Sequence, residues 1–179
     1  FKKILKDEHV GMFWATFRAD PWTKKSLSNG LNPKTAAILA NTLQRYVLEN
    51  TRLGIPILLA EEAPHGHMAI GTTVFPTGLG MAATWNPALM EQIGYATAKE
   101  LTLQGAHISY GPILDLARDP RWSRVEETFG EDPALVGTMG SALIRGLKRG
   151  GSLPTLKHFI AYGASQGGQN SGAVNIGKR

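Results

Sequence analysis

Three times along this chain an Asn or Asp stands directly before a proline: Asn32-Pro33, Asn86-Pro87 and Asp132-Pro133. No other local feature limits the fold as strongly. An Asn or Asp side chain accepts the free amides of a helix's first turn. Proline suits the next position, where a missing N–H removes no hydrogen bond. Each pair opens a stretch with helical apolar spacing. Ala36, Leu39, Ala40, Leu43 and Val47 share a face in the first. Leu89, Ile93 and Ala96 do so in the second, and Val136, Met139, Leu143 and Leu147 in the third. Glycines at 54, 105 and 150 are the expected stops.

Between these helices run strand-like segments, Val10–Phe17, Ile55–Ala60, Ile108–Ala117 and Leu153–Tyr162. The second is almost wholly apolar, as a parallel strand covered on both faces would be. Alternating strands and helices predict βα units on a parallel sheet. Four such units are about half of an eight-stranded (β/α)8 TIM-type barrel, which takes about 250 residues. The expected fold class is therefore α/β, either the first half of such a barrel or a small open sheet complete in itself. The last stretch, "NSGAVNIGKR", shows neither a helix stop nor a closing strand, so the chain is expected to be part of something longer.

Composition excludes some classes. The formal charge is +5, but the basic residues are scattered and never interleaved with aromatics, so nucleic acid is not the expected partner. Cysteine is absent, which removes thiol chemistry and Cys-type zinc sites. No apolar stretch reaches the roughly 18 to 20 residues of a membrane span. The opening "FKKILKDEH" lacks the apolar core of a signal peptide.

In a barrel, chemistry gathers where strands pass into βα loops. Polar residues gather there in this chain. The second strand leads into "AEEAPHGH", with Glu61, Glu62, His65 and His67. The third leads into a run that contains Asp115, Arg118, Asp119, Arg121, Arg124, Glu126 and Glu127. The fourth carries Lys157 and His158 and runs out into "YGASQGGQN". Each has a plainer reading. The 115–127 run can be a structural network of Arg–carboxylate pairs. Adjacent Glu61 and Glu62 face opposite ways on an extended chain, so one is expected in a site and the other exposed beside a basic group. His65 and His67 lack a third ligand at a recognisable spacing, so no metal is expected. Neither a phosphate-cradling loop nor a Gly-x-Ser-x-Gly elbow is present.

Lys157 and His158 resist the plainer reading, because a buried lysine is costly unless paired or wetted. Neighbours on a strand point apart, so both can serve one site only where the backbone is irregular. Such groups suit a polyhydroxylated ligand: Lys and Arg donate to hydroxyls, a carboxylate accepts from two vicinal ones, and His can do either. Trp14, Trp22, Trp85, Trp122 and Tyr162 could stack on a sugar, with core packing the default for each.

At these residues the sequence resembles glycoside hydrolase family 3, the β-glucosidase and β-xylosidase type. The resemblance runs from about Arg52 to Arg179, through "RLGIPILLAEEAPHGH", "GPILDLARDPRWSRVEETFGEDP" and "LKHFIAYGASQGGQN". It implies that residues 1–179 are the N-terminal part of a TIM-type barrel domain, with a second α/β sandwich domain elsewhere in the polypeptide. It also implies a retaining β-glycosidase that releases β-linked glucose or xylose from non-reducing ends, without a cofactor. Its partners would be a β-glucoside or β-xyloside and the remainder of the same polypeptide. The expected compartment is periplasmic or secreted.

Four residues take substrate-binding roles through the resemblance. Glu62 stands where many relatives have Asp in an Asp-Ala-x-His-Gly stretch that grips vicinal hydroxyls. Its side chain is one methylene longer, which leaves the exact sugar open. Arg124 matches the second arginine of Asp-Pro-Arg-Trp-Gly-Arg, with Ser123 in place of the glycine. Lys157 and His158 match a Lys-His-Phe that donates to ring hydroxyls. The family's nucleophile is an Asp in a Ser-Asp-Trp stretch, and its acid/base is commonly a Glu of the second domain. Neither is expected among Asp7, Asp20, Asp115, Asp119 and Asp132 or elsewhere here, so both should lie beyond Arg179. Their absence keeps open a non-catalytic carbohydrate-binding or degenerate member. The family's N-acetylhexosaminidase branch carries a histidine on the loop after Lys-His-Phe. This chain reads Phe159-Ile160-Ala161-Tyr162-Gly163 and lacks it, which disfavours that branch.

Overall fold

A computed structural model describes residues 1–177. Five α-helices and four strands alternate along them: α1 (Lys2–Asp7), β1 (Met12–Trp14), α2 (Pro33–Asn50), β2 (Leu58–Glu62), α3 (Gly78–Ala82), α4 (Pro87–Leu103), β3 (Ile108–Ile113), α5 (Pro133–Arg149) and β4 (Leu153–Lys157). The three Asn/Asp-Pro pairs start the three long helices. Asn32 Oδ1 accepts from Thr35 N at 2.9 Å, and Asn86 Oδ1 from Leu89 N at 3.1 Å. Asp132 Oδ1 accepts from Ala134 N at 2.7 Å and Leu135 N at 3.1 Å.

Two of the helix stops fall at the expected glycines and one does not. Gly105 follows the end of α4 with a φ of +97°, and Gly150 caps α5 just ahead of left-handed Gly151 (φ +96°). Helix α2 ends on the Thr51 N–H, which bonds back to Val47 O, ahead of Gly54. Short α1 and α3 carry no cap or long periodicity and are new elements.

The strands form one parallel sheet in the order β1-β2-β3-β4. Sequential neighbours in parallel, each joined by a crossover helix, are the wall of a TIM-type α/β barrel. Strand β2 is displaced from its apolar run and β3 and β4 stop short of theirs, because ladder pairing and not hydropathy sets their ends. Thus β2 reaches Glu62, which pairs in register with Tyr110. Strand β3 stops at Ile113 after a shift in which Tyr110 and Gly111 both pair with Thr155. Strand β4 stops at Lys157, and the Lys157–His158 peptide is cis.

The expectation that the strand-like run Leu153–Tyr162 is one strand fails beyond Lys157, and its apolar residues are exposed. Leu156, Phe159 and Ile160 are 55%, 95% and 73% exposed. Strand β4 pairs only with β3 and is an edge of the sheet, so among the described residues no further strand pairs along its far side.

Two apolar cores flank the sheet. Leu5, Phe17, Leu43, Val47 and Leu59 join α1 and α2 to β1 and β2. Met90, Phe129, Met139, Leu143 and Leu147 lie between α4, α5 and the loop before α5. The buried face of α4 is Met90, Ile93, Gly94, Thr97, Ala98 and Leu101. Leu89 and Ala96 stand off it, because glycine and threonine are part of the true contact and hydropathy spacing passes over them. Helices α4 and α5 touch through Gly94 and Gly146. A Cβ on Gly146 would run into the Glu91 carbonyl and the Tyr95 amide, both backbone atoms that cannot swing aside. Gly146→Ala must therefore part the two helices. The expected loss is about 2 kcal/mol of stability, read as a lower denaturation midpoint. An unchanged midpoint would show that the helices can part freely.

Candidate functional site

Strands β2 and β4, the residue just past β4 and the β3–α5 loop bring the four expected binding residues to the same end of the sheet. Glu62 is the last residue of β2 and Lys157 the last of β4. Lys157 Nζ donates to Glu62 Oε2 at 2.9 Å, and the side chains are only 12% and 14% exposed. The Lys157 ammonium also lies 5.7 Å from the centre of the Tyr110 ring on β3, which itself stacks on Trp14 of β1. Lysine at the end of β4 is thus paired rather than bare, which answers the burial problem its position raised.

His158, just beyond β4, turns to a different partner. Its Nδ1 lies 2.7 Å from Asp115 Oδ2, which also accepts from the His158 backbone N at 3.0 Å. Its Nε2 lies 3.1 Å from Arg124 Nη1. Arg124 comes from the long loop between β3 and α5. Its Nε and Nη2 donate to Glu127 at 2.6 and 2.7 Å, a two-pronged pair held within one turn of 3-10 helix, Val125–Glu127. Tyr162 closes the group: its ring stands edge-on to His158 at 4.7 Å, and the Arg124 guanidinium lies 5.6 Å from the ring centre.

The electrostatics follow from this pairing. The Glu127 hydrogen bonds push the Arg124 guanidinium above its ordinary value, against the opposite pull of burial. Burial alone would raise the Glu127 carboxyl. Arg124, then Lys157 and His158, outweigh it and leave the carboxyl below its ordinary value. Glu127 and Arg124 are therefore ionised near neutral pH.

Asp115, Glu127 and Tyr110 belong to the cluster although no substrate role was expected of them. A nearby signal existed, since Asp115 falls two residues past the end of β3. Its partner, however, is 43 residues away, beyond the reach of local spacing.

Glu61 contradicts its expectation outright. It is fully buried rather than exposed beside a basic group, and its Oε1 accepts from Phe17 N at 2.9 Å. The β1–α2 loop closes over this face of β2, so the residue opposite Glu62 meets backbone instead of water. His67 is also buried, with neither ring nitrogen hydrogen-bonded. His65 Nδ1 lies 3.1 Å from the Phe75 carbonyl. No three His, Asp or Glu side chains among the described residues converge as a metal site requires.

Of the aromatic candidates, Trp122 is core, while Trp14, Trp22 and Trp85 are exposed. A cleft of about 460 Å³ runs beside β4. Its wall is mostly apolar, and Asp115, Arg118, Lys157 and His158 are its charged or ionisable members.

The arrangement is a row of charged hydrogen-bonding groups at the C-terminal end of a parallel sheet. It holds three paired carboxylates, an ammonium, a guanidinium and an imidazole. This set can grip neighbouring hydroxyls but contains no nucleophile–base pair aimed at a shared point.

The chain is similar to glycosidases in both sequence and structure. The family model described as "Glycosyl hydrolase family 3 N terminal domain" matches residues 1–179. A beta-xylosidase of Formosa agariphila is 35% identical over 88% of this chain and 25% of its own length. A periplasmic beta-glucosidase of Salmonella typhimurium is 30% identical over 98% of the chain and 24% of its length. Among solved structures, the beta-glucosidase of Listeria innocua in complex with glucose is 34% identical with a TM-score of 0.74, over 80% of this chain and 20% of that one. An exo-1,3/1,4-beta-glucanase of Pseudoalteromonas is 26% identical with a TM-score of 0.87, over 99% and 23%. The chain spans about a quarter of the length of the curated relatives it matches.

Proposed function

The chain belongs to glycosyl hydrolase family 3, and on that premise we propose that it supplies the sugar-binding part of a retaining β-glycosidase. The enzyme would release β-linked glucose or xylose from non-reducing ends. One observation carries the reading: Glu62, Arg124, Lys157 and His158, up to 96 positions apart in sequence, meet at the C-terminal end of the sheet in hydrogen-bonded pairs. Paired charges of this kind present a sugar with an acceptor and a donor side by side. Vicinal hydroxyls, each both donor and acceptor, match that pattern.

The remaining chemistry would come from the rest of the polypeptide. A retaining mechanism needs a carboxylate nucleophile and a carboxylic acid about 5 Å apart. No pair among Glu62, Asp115 and Glu127 is free for it, since each is engaged by Lys157, His158 or Arg124. The nucleophile Asp and the acid/base Glu are assigned to segments that complete the barrel and form a second domain. A periplasmic or secreted location is supported by the periplasmic relative. No helix among the described residues is long and apolar enough to cross a membrane.

The test is direct. The complete polypeptide is incubated with 4-nitrophenyl β-glucoside and β-xyloside, and the released sugar is followed by proton NMR. The expected first product is the β-anomer. Initial release of the α-anomer overturns retention. Binding of glucose or xylose without hydrolysis of either glycoside overturns the enzyme and leaves a carbohydrate-binding protein.

A further inference from the structure

Asp115 takes no part in the sugar contacts assigned above, yet it is more deeply buried than the residues given those contacts. Its side chain is 2% exposed, against 25% for His158. It sits just past the end of β3 and accepts from three donors at once. Oδ2 takes the His158 backbone N at 3.0 Å and faces His158 Nδ1 at 2.7 Å, while Oδ1 takes Gly163 N at 3.3 Å. Gly163 follows Tyr162, so one carboxylate ties the end of β4 to the loop that carries the aromatic lid of the cluster.

The direction of the hydrogen bonds decides the state of the imidazole. An ionised carboxylate only accepts, so Nδ1 must carry a hydrogen. A guanidinium only donates, so Nε2, at 3.1 Å from Arg124 Nη1, must be the acceptor. Only the neutral imidazole with hydrogen on Nδ1 satisfies both. A proton on Nε2 would set two N–H groups head to head beside a permanent positive charge. The charged and titratable groups facing the ring are Asp115, Arg124 and Tyr162, with Lys157 and Glu127 one step further off.

We propose that Asp115 is a positioning residue that holds His158 as the Nδ1–H tautomer, so that His158 Nε2 accepts from Arg124 and orients it. Arg124 is then held on two sides, by the Glu127 fork at Nε and Nη2 and by His158 at Nη1. Of the five guanidinium hydrogens, three are engaged, and one on each terminal nitrogen remains for a ligand. The order Asp115–His158–Arg124–Glu127 fixes a donor pair in space before the ligand arrives, which lowers the ordering cost of binding. The part of the inference that concerns sugar rests on the glycosidase reading. The tautomer does not.

The experiment therefore reads the two separately. The complete polypeptide is labelled with 15N-histidine, and long-range proton–nitrogen spectra are recorded at neutral pH. The His158 signals are identified by their loss in His158→Gln. The expected pattern is a protonated Nδ1 and an unprotonated Nε2. A protonated Nε2 overturns the proposal, whatever the activity. In Asp115→Asn the pattern is expected to become a mixture of tautomers, with kcat/KM for the aryl glycoside on the order of tenfold lower. An unchanged pattern and unchanged kinetics in that variant also overturn it. If Asp115→Asn does not fold, the wild-type spectrum still decides. Absence of turnover in the wild type would sink the glycosidase reading alone.

Discussion

Glu61→Gln and His67→Leu are expected to change the pH dependence of stability in opposite directions. Burial raises the Glu61 carboxyl from its ordinary 4.5 to about 7. The backbone amides of Phe17 and Thr16 pull it back, the charge on Glu62 pushes it up, and Arg18 opposes. Folded Glu61 thus keeps its proton where the unfolded chain has lost it. Its contribution is fully present below about 4.5 and is lost as pH rises through 7. Burial acts on His67 in the other sense, moving the imidazole from 6.5 down to about 4, with Glu100, Gln104 and the Glu62 backbone opposing. Folded His67 stays neutral where the unfolded chain takes up a proton, so its contribution is present above 6.5 and is lost as pH falls to 4. Each difference corresponds to about 3 kcal/mol across its window.

The two windows overlap between about 4.5 and 6.5, where the slopes cancel in the native protein. Glu61→Gln keeps an acceptor for Phe17 N, removes the ionisation and leaves His67 alone. Its denaturation midpoint should rise steadily from pH 4 to 6.5 and then level off. His67→Leu removes the titrating ring at a buried position and leaves Glu61 alone. Its midpoint should fall from pH 4.5 to 7. Parallel profiles for native protein and both variants would show that neither group titrates with folding.

These two residues also mark where sequence reading stops. Helix starts were legible because a cap is a contact between residues three apart: Asn32 with Thr35, Asn86 with Leu89, Asp132 with Leu135. Strand alternation correctly separated Glu61 from Glu62, since that is a property of any extended backbone. What lies on the far face is decided by chain 44 residues away, where Phe17 meets Glu61. The same holds for β4. Its apolar pattern runs on to Tyr162, but pairing with β3 ends at Lys157, and the residues after it fold into loop and 3-10 turn. The four binding candidates were legible as polar residues out of place at strand ends and through the family resemblance. Asp115 and Tyr110 join them through tertiary contact, Glu127 through the local pair with Arg124, and no spacing rule distinguishes Asp115 and Glu127 from the neighbouring Asp119 and Glu126.

On the proposed glycosidase reading, Lys157→Met in the complete polypeptide is expected to lower kcat/KM for an aryl β-glycoside by about 10²–10³-fold. Two losses combine. The first is a charged donor to a ligand hydroxyl, about 1.5–3 kcal/mol. The second is the partner of Glu62, whose carboxylate would stand 86% covered with no cation beside it. Methionine keeps the length of the stem and gives up the ammonium together with its contact to the Tyr110 ring. Glu62→Gln should be milder, about tenfold, because the amide oxygen still accepts from Lys157 while the charge is lost. In the double variant the uncompensated carboxylate no longer exists, so the combined loss should fall well short of the product of the single losses, as for groups 2.9 Å apart. Losses that multiply would mean that Glu62 and Lys157 act on the sugar independently. A Lys157→Met enzyme within threefold of native would remove lysine from the binding site altogether. The shortfall from additivity is the decisive quantity, because it tests whether the pair meets the sugar as one unit.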